Sequence, residues 1–210
     1  KDPNCEICKR CKCQKVQCRK KTIHDHGGWK EPEKYCDLLT SDYAVIAERN
    51  ATHQSRYADK YCVVIQDYAT SWVDSMPVKT KTSEDLIKAF QNFLGPDNKP
   101  KAVYSDCAPE YKKTLVPQTN GIAERSIRRV KEGTACLLIQ SGLSHHWWAE
   151  ATRWFCFLRG KTPYRQRFSD FKGHRVPFGA EIRHMAMSNG KVIRDHPLGD
   201  NTNGALFMGY

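Results

Sequence analysis

The 210-residue chain lacks any uninterrupted apolar run of about 18 residues, the length that a membrane-spanning helix needs. It also lacks a recognisable signal peptide for secretion, which has basic residues first, then an apolar segment and then small residues at the cleavage site. We therefore expect neither membrane insertion nor secretion. An acidic excess is absent too, because 34 Lys and Arg against 23 Asp and Glu give a net charge of +11. This balance favours a polyanionic partner such as nucleic acid, and a solubilising basic surface is the alternative.

The positive charge is unevenly distributed along the chain. Residues 1–34 carry a net charge of +5 and residues 120–175 carry +7, whereas residues 35–119 carry −1 and residues 176–210 are balanced. A nearly neutral segment is thus flanked by two basic ones. This arrangement suits a polyanion that is gripped on both sides.

Ten cysteines are present, and without secretion they are interpreted as thiols or metal ligands and not as a disulfide framework. Cys5 and Cys8 have the two-residue gap that lets both thiolates reach one tetrahedral zinc ion, which is half of a site. Unligated thiols in a basic linker are the alternative. We expect Lys20 and Lys21 to contact phosphates with or without a metal. Further candidate ligands in this segment are Cys11, Cys13, Cys18, His24 and His26.

The middle of the chain alternates β-branched and aromatic runs with amphipathic segments, which predicts a mixed α/β layer. We predict adjacent antiparallel strands over residues 61–67 and 72–78, a helix from Ser83 to Gly95, a strand over 101–105, and helices over about 120–141 and 147–158. The predicted buried positions of the three helices are Leu86, Ile87, Phe90, Phe93 and Leu94; Ile122, Ile127, Val130, Leu137 and Leu138; and Trp148, Ala151, Phe155 and Leu158.

Three carboxylates have the placement that a metal-dependent nuclease or transferase needs. Asp42 and Asp106 occur where short apolar runs end, and Glu124 opens the helix that follows the sequence PQT. Strand ends deliver side chains to a fixed point, so two Asp and a helical Glu can converge on a pair of divalent ions. Mg²⁺ accepts such a set of few carboxylates. Asp67 also ends an apolar run, but it begins a turn, and we prefer Asp42 as the ligand.

The helix that carries Glu124 is rich in arginine, which indicates binding to a phosphate backbone. A single Glu among these cations would repel DNA unless a metal ion lay between them. A solvated helix face with a Glu124–Arg128 pair is the alternative. Gln118 and Asn120 can contact sugar or base edges, and Asn120 can equally cap the helix. The basic candidates are Arg125, Arg128, Arg129 and Lys131.

Four blocks of sequence around these carboxylates resemble the catalytic core of retroviral and long-terminal-repeat retrotransposon integrases, particularly the copia-like branch. The blocks are LLTSDYAVI, YCVVIQDYATSWVDSMPVKTKT, YSDCAPEY and PQTNGIAER. Segments farther along, LSHHWWAEA, GKTPYRQRF, VPFGAEI and LFMGY, are also similar to the region after such cores. The resemblance covers most of residues 35–210.

The resemblance implies an α/β, RNase H-like fold with a mixed sheet and flanking helices. It implies a core over residues 35–160 and a truncated post-core extension over 161–210. It further implies a polynucleotidyl transferase in which Asp42, Asp106 and Glu124 bind two Mg²⁺ or Mn²⁺ ions and DNA 3′ ends are processed and joined to target DNA. The expected partners are element ends, target DNA and further copies of the chain. The expected location is the nucleus, which the protein would enter from a cytoplasmic particle.

The same resemblance implies that residues 1–34 are a basic Cys-rich linker holding the second half of an HHCC zinc module, whose two His would precede Lys1. One departure from the family concerns spacing: only 17 residues separate Asp106 from Glu124, where the family has a longer segment with a further helix and strand. The alternative function is therefore a remnant that binds nucleic acid without catalysis. A cysteine enzyme is disfavoured, because Cys107 has no evident His and Asn partners.

Overall fold

The structure of the protein is a computed structural model that describes residues 5–12, 32–47, 51–105, 121–159, 176–184, 187–188, 191–192 and 203–209. The described helices are α1 (Glu6–Lys12), α2 (Ser83–Leu94), α3 (Gly121–Ser141) and α4 (Trp148–Arg159). The described strands are β1 (Leu38–Val45), β2 (Tyr61–Asp67), β3 (Val73–Val78), β4 (Ala102–Tyr104), β5 (Glu181–His184), β6 (Met187–Ser188), β7 (Lys191–Val192) and β8 (Asn203–Leu206). Single turns of 3₁₀ helix occupy Ala51–His53 and His145–Trp147.

A mixed four-stranded sheet has the order β3-β2-β1-β4. β2 pairs antiparallel with both β3 and β1, whereas β4 pairs parallel with β1. The run Tyr61–Asp67 is buried along almost its whole length because helices cover both faces of this central strand. The predicted strand over 61–67 and its antiparallel neighbour are confirmed, and β4 lies within the predicted range 101–105. The remaining strands form two small ladders, β5 with β8 and β6 with β7.

Helix α2 begins and ends at the residues that its capping chemistry predicts. The Thr82 side chain accepts a hydrogen bond from the Asp85 backbone N–H at 3.2 Å, and Gly95 ends the helix at a positive φ of 66°. The expectation that Ile87 is buried is wrong, since its side chain is 55% exposed. The buried face is formed by Leu86, Ala89, Phe93 and Leu94, and a residue one step along a helix points about 100° away from its neighbour.

The sheet buries a separate apolar cluster on each face. Leu39, Val63 and Ile65 pack with α2, whereas Ala44 and Val64 pack with α3 and α4. Successive strand residues point to opposite faces, so even-numbered positions of β1 share the face that α3 covers. This alternation decides which side of the sheet each acidic side chain occupies.

Helix α3 approaches the sheet and α4 through small side chains. Gly133 lies against the ring of Phe155, and an added Cβ would clash with that ring. Ile122, Ile127 and Leu137, which we expected to be buried, are only half-buried because smaller residues occupy the closest contacts. Of the positions predicted for α4, Trp148 and Ala151 are buried, Phe155 is half-buried, and Leu158 is 48% exposed, contrary to expectation. The buried positions of α3 are Ala123, Ser126, Val130, Gly133, Thr134 and Leu138.

Segments that precede β1 and segments that follow α4 in the sequence pack against the central layer. α1 contacts α3. Phe178 and Phe207 join the cluster on the α3 face, where Phe207 meets Trp154 edge to face at 5.2 Å between ring centroids. None of the described helices combines the length and apolar character needed to cross a membrane.

Candidate active site

Asp42 lies in the middle of β1 and is half-buried. The sequence predicted that it would lie at a strand end. The strand continues because the ladder with β2 extends from Leu39↔Asp67 to Val45↔Tyr61. Asp42 shares the sheet face of Ala44, which is the face covered by α3. Its carboxylate accepts the backbone N–H of Tyr43 at 2.7 Å.

Glu124 lies in the first turn of α3 and is exposed. The helix is fixed over the sheet by a buried hydrogen bond from the Ser126 hydroxyl to the Gln66 side-chain oxygen. Gln66 is the pairing partner of Thr40, two residues before Asp42 on β1. The first turns of α3 therefore lie over β1 and β2, on the face that carries Asp42.

This contact predicts a measurable cost for Ser126→Ala. The substitution leaves the buried Gln66 oxygen without its donor, so we expect a loss of about 1–3 kcal/mol in the free energy of unfolding. Urea denaturation of Ser126→Ala, Gln66→Leu and the double variant measures it. The double variant should be less destabilised than the sum of the single changes. Additive losses would show that the two side chains are not coupled.

The basic side chains of α3 provide the cationic surface beside Glu124. Lys131 reaches the sheet, since its ammonium donates to the Val45 carbonyl at 3.0 Å, and Arg125 Nε donates to the Gly121 carbonyl at 3.3 Å. The i,i+4 pair of Glu124 and Arg128, which was the alternative interpretation, is not seen among the described residues. Arg125, Arg128 and Lys131 are exposed, and Arg129 is half-buried.

Positive charge continues from α3 to the end of α4. Burial lowers the pKa of Arg159, and the nearby positive charge of Arg129 lowers it further. The charges of Arg129 and Arg159 thus repel each other, and a bound anion would relieve this repulsion.

Asp67 has a structural role. Its side chain is fully buried and accepts hydrogen bonds from the Cys36 N–H at 2.9 Å, the Thr70 N–H at 2.8 Å and the Thr70 hydroxyl at 2.6 Å. These bonds close the β2–β3 turn and hold the turn before β1, where Cys36 has a positive φ of 70°. Few lone pairs remain for a metal ion.

Several predicted site residues lie outside the described residues. These are Asp106, Gln118, Asn120, Lys20 and Lys21. β4 ends at Tyr104, which pairs with Thr40, and Asp106 follows two positions later in the sequence. The set of three carboxylates stays a prediction.

The described oxygen ligands fit a magnesium ion in kind, because Mg²⁺ binds a few carboxylates and completes its shell with water and phosphate. Within the described ranges, no group of three or more His, Cys, Asp and Glu side chains is arranged to hold a metal. Cys5 directly precedes α1 and Cys8 lies inside it, but the Cys8 side chain is outside the described part. The zinc site also stays a prediction.

Two tyrosines near the candidate site were missed by sequence reasoning. Burial raises the pKa of Tyr68, the neighbouring Tyr104 raises it further, and the charge of Arg125 opposes both. Tyr68 is anchored beside β1 by its N–H, which donates to the Leu38 carbonyl at 3.0 Å. Their positions, one residue after Asp67 and two before Asp106, were the available signal.

The chain resembles an integrase core of a retrotransposon, as its motifs predicted. It is 27% identical over 185 residues to the retrovirus-related Pol polyprotein from transposon TNT 1-94 of Nicotiana tabacum. The match covers 76% of this chain, which spans about 12% of the length of that polyprotein. No family model matches the chain.

Solved structures of the HTLV-2 integrase catalytic core domain in complex with magnesium are also similar. The trimeric form gives a TM-score of 0.42 at 18% identity and covers 57% of this chain and 83% of its own. The dimeric form gives 0.41 at 18% identity, with 57% and 85% covered. The mixed sheet with helices on both faces fits the RNase H-like fold that the resemblance implied.

Proposed function

We propose that this chain is the core of an integrase-type polynucleotidyl transferase that processes DNA 3′ ends and joins them to target DNA. The observation that carries the proposal is the placement of α3. This helix presents Glu124 among exposed cations over the sheet face that bears Asp42. Carboxylates set in a basic surface suit metal-assisted chemistry on a phosphodiester.

The residues divide into two roles in this proposal. Asp42, Asp106 and Glu124 would hold Mg²⁺ or Mn²⁺, which supplies activation of the attacking oxygen and stabilisation of the leaving oxygen. Arg125, Arg128, Arg129 and Lys131 bind the phosphate backbone and fix its register, and Gln118, Asn120, Lys20 and Lys21 are proposed to extend the contact. We propose nuclear action by a homo-oligomer.

Glu124→Gln tests the proposal. We expect metal-dependent strand transfer on a branched DNA substrate in Mn²⁺ to fall by about 100-fold or more, because the amide cannot replace an anionic metal ligand. Salt-sensitive DNA binding should persist, since the cations of α3 remain. Both properties are measured on the same purified chain, by product analysis on gels and by fluorescence anisotropy.

Glu84→Gln is the matched control. Glu84 is likewise an exposed glutamate in the first turn of a helix, but it belongs to α2 on the opposite face of the sheet. The Glu84→Gln variant should retain full activity. DNA binding by the unchanged protein without any metal-dependent reaction would favour the alternative function, a remnant that binds nucleic acid without catalysis.

A further inference from the structure

An aromatic and cationic cluster lies where the β1–β2 connection meets the turn before α4. Its members are Arg56, Tyr57 and Trp147, and we call it the Arg56 platform. The Arg56 guanidinium lies 4.1 Å from the Trp147 ring centroid and 5.3 Å from that of Tyr57. Tyr57 is 57% exposed, and no other Phe, Trp or Tyr side chain among the described residues is exposed to this degree.

The loop that carries the platform is held in one conformation. The Ser55 hydroxyl donates to the Asp59 carboxylate at 2.6 Å and accepts the N–H groups of Tyr57 and Asp59, each at 3.1 Å. Ser55 and Asp59 are both buried, and Ala58 has a positive φ of 65°. A rigid loop therefore presents Arg56 and Tyr57 to solvent.

The loop is also docked on the turn that precedes α4. The Arg56 N–H donates to the His146 carbonyl at 3.0 Å, and the His146 Nδ1 lies 2.8 Å from the Gln54 carbonyl. The Trp148 indole donates to the His53 carbonyl at 3.1 Å. The two aromatic rings and the guanidinium thus belong to one surface built from two distant parts of the sequence.

Arg56 has no carboxylate within salt-bridge distance in the part of the chain that the structure describes. Asp59, the nearest acidic residue in sequence, is engaged by Ser55. His145 and His146 are exposed beside the platform. The local charge is therefore positive and available to an anion.

The turn that carries Trp147 shares a cavity with α3. A cavity of about 320 Å³ is lined by Lys131 of α3 and by His145 of the turn before α4, with Val45 and Ile139 in its apolar wall. The Lys131 ammonium bonds the Val45 carbonyl, at the end of the strand from which the β1–β2 connection departs. Lys131 of α3 and His145, two residues before Trp147, thus border the same cavity.

We propose that the Arg56 platform binds single-stranded nucleic acid, with a base stacked on Tyr57 and a phosphate near Arg56. An aromatic face with a guanidinium beside it is the combination that binds unpaired bases, whereas the bases of a duplex already cover each other's faces. An acidic peptide would use the cation but would gain nothing from the ring. The inference rests on the proposed function, because it adds a contact for an unpaired segment of the DNA bound along α3.

The test compares an oligothymidylate of about 12 nucleotides with a blunt hairpin duplex of equal charge, using anisotropy and the full chain. Tyr57→Ala should weaken binding of the single strand about tenfold and change duplex binding by less than about twofold. The salt dependence of single-strand binding should be the same in Tyr57→Ala as in the unchanged protein, because a stacked base releases no counterions. Arg56→Gln should instead lower the salt slope by about one.

Tyr57→Phe, which keeps the ring, should bind like the unchanged protein, and so should Ile87→Ala, which removes an exposed apolar side chain from α2. Photocrosslinking of the unchanged protein to an iodouridine oligonucleotide should label Tyr57 or Trp147, and it needs no variant to fold. The inference would be overturned if Tyr57→Ala lost the same affinity for both DNAs or lost none. It would also be overturned if polyglutamate displaced the bound oligonucleotide as effectively as DNA does. Absence of any salt-sensitive DNA binding by the unchanged protein would instead overturn the proposed function.

Discussion

Asp42→Asn is expected to reduce metal-dependent DNA strand transfer by about 100-fold or more while DNA affinity stays within about twofold. The amide has the shape of the carboxylate and can still accept the Tyr43 N–H through its oxygen. Asp42 is half-buried on the α3 face, so the change leaves the packing of the sheet intact. What is lost is the negative charge that a divalent ion requires.

Asp74→Asn is the control that separates this effect from a general effect of removing a strand carboxylate. Asp74 is also half-buried, lies in β3 and accepts the N–H of the following residue, Ser75, at 2.7 Å. It pairs with Ile65, which packs with α2 on the other side of the sheet, and it lines a cavity with Phe93 of α2 and Arg153 of α4. Burial raises the pKa of Asp74, so replacing it with a neutral amide should not destabilise the fold.

The two variants and the unchanged protein are compared in Mn²⁺ on one branched DNA substrate, with anisotropy for binding and thermal unfolding for the fold. Activity retained by Asp42→Asn would exclude this carboxylate as a metal ligand. An equal loss in Asp74→Asn would trace the defect to the sheet and not to the face that α3 covers.

Local chemistry made part of this fold predictable. The ends of α2 follow from Thr82, which caps the first turn, and from Gly95, which adopts a left-handed conformation at little cost. The strand over 61–67 follows from a continuous β-branched run bounded by Lys60 and a turn. Such signals lie within the segment itself and need no knowledge of what packs against it.

The extent of β1 and much of the buried face of α3 could not be predicted in this way, although Val130 and Leu138 are buried as predicted. The segment SDYAV carries polar residues, and it continues as a strand because β2 offers backbone partners as far as Val45. Ser126 and Gly133 are buried because Gln66 and Phe155 meet them, and both partners are distant in sequence. Periodicity favours large apolar residues as the buried ones, so close contacts made by small residues escape it.

The same limit applies to the candidate site. The motifs selected Asp42 and Glu124, and strand alternation together with the Ser126–Gln66 bond then shows that α3 covers the sheet face of Asp42. The motifs contain Tyr68 and Tyr104 without indicating a role for them, and they gave no indication of the Arg56 platform. These features depend on which loop folds onto which helix end, and residue types alone do not specify that.

Asp67→Ala is expected to lower the free energy of unfolding by about 3–5 kcal/mol, a large fraction of the stability of a small domain. The change removes the acceptor of the Cys36 and Thr70 N–H groups in a fully buried position, and each buried donor left unpaired costs about 1–3 kcal/mol. It also frees Cys36, whose positive φ of 70° needs support from its surroundings. Urea denaturation measures the loss.

Asp67→Asn sharpens this prediction, because the amide keeps the volume of the carboxylate but offers only one oxygen to three donors. Asp67→Asn should therefore be destabilised almost as much as Asp67→Ala. Asp42 lies on β1 three residues beyond Leu39, the pairing partner of Asp67, and Asp42→Asn should unfold like the unchanged protein. A stable, well-folded Asp67→Asn protein that had lost only its metal-dependent reaction would reverse the roles of the two aspartates. Asp67 would then be the metal ligand and Asp42 the structural residue.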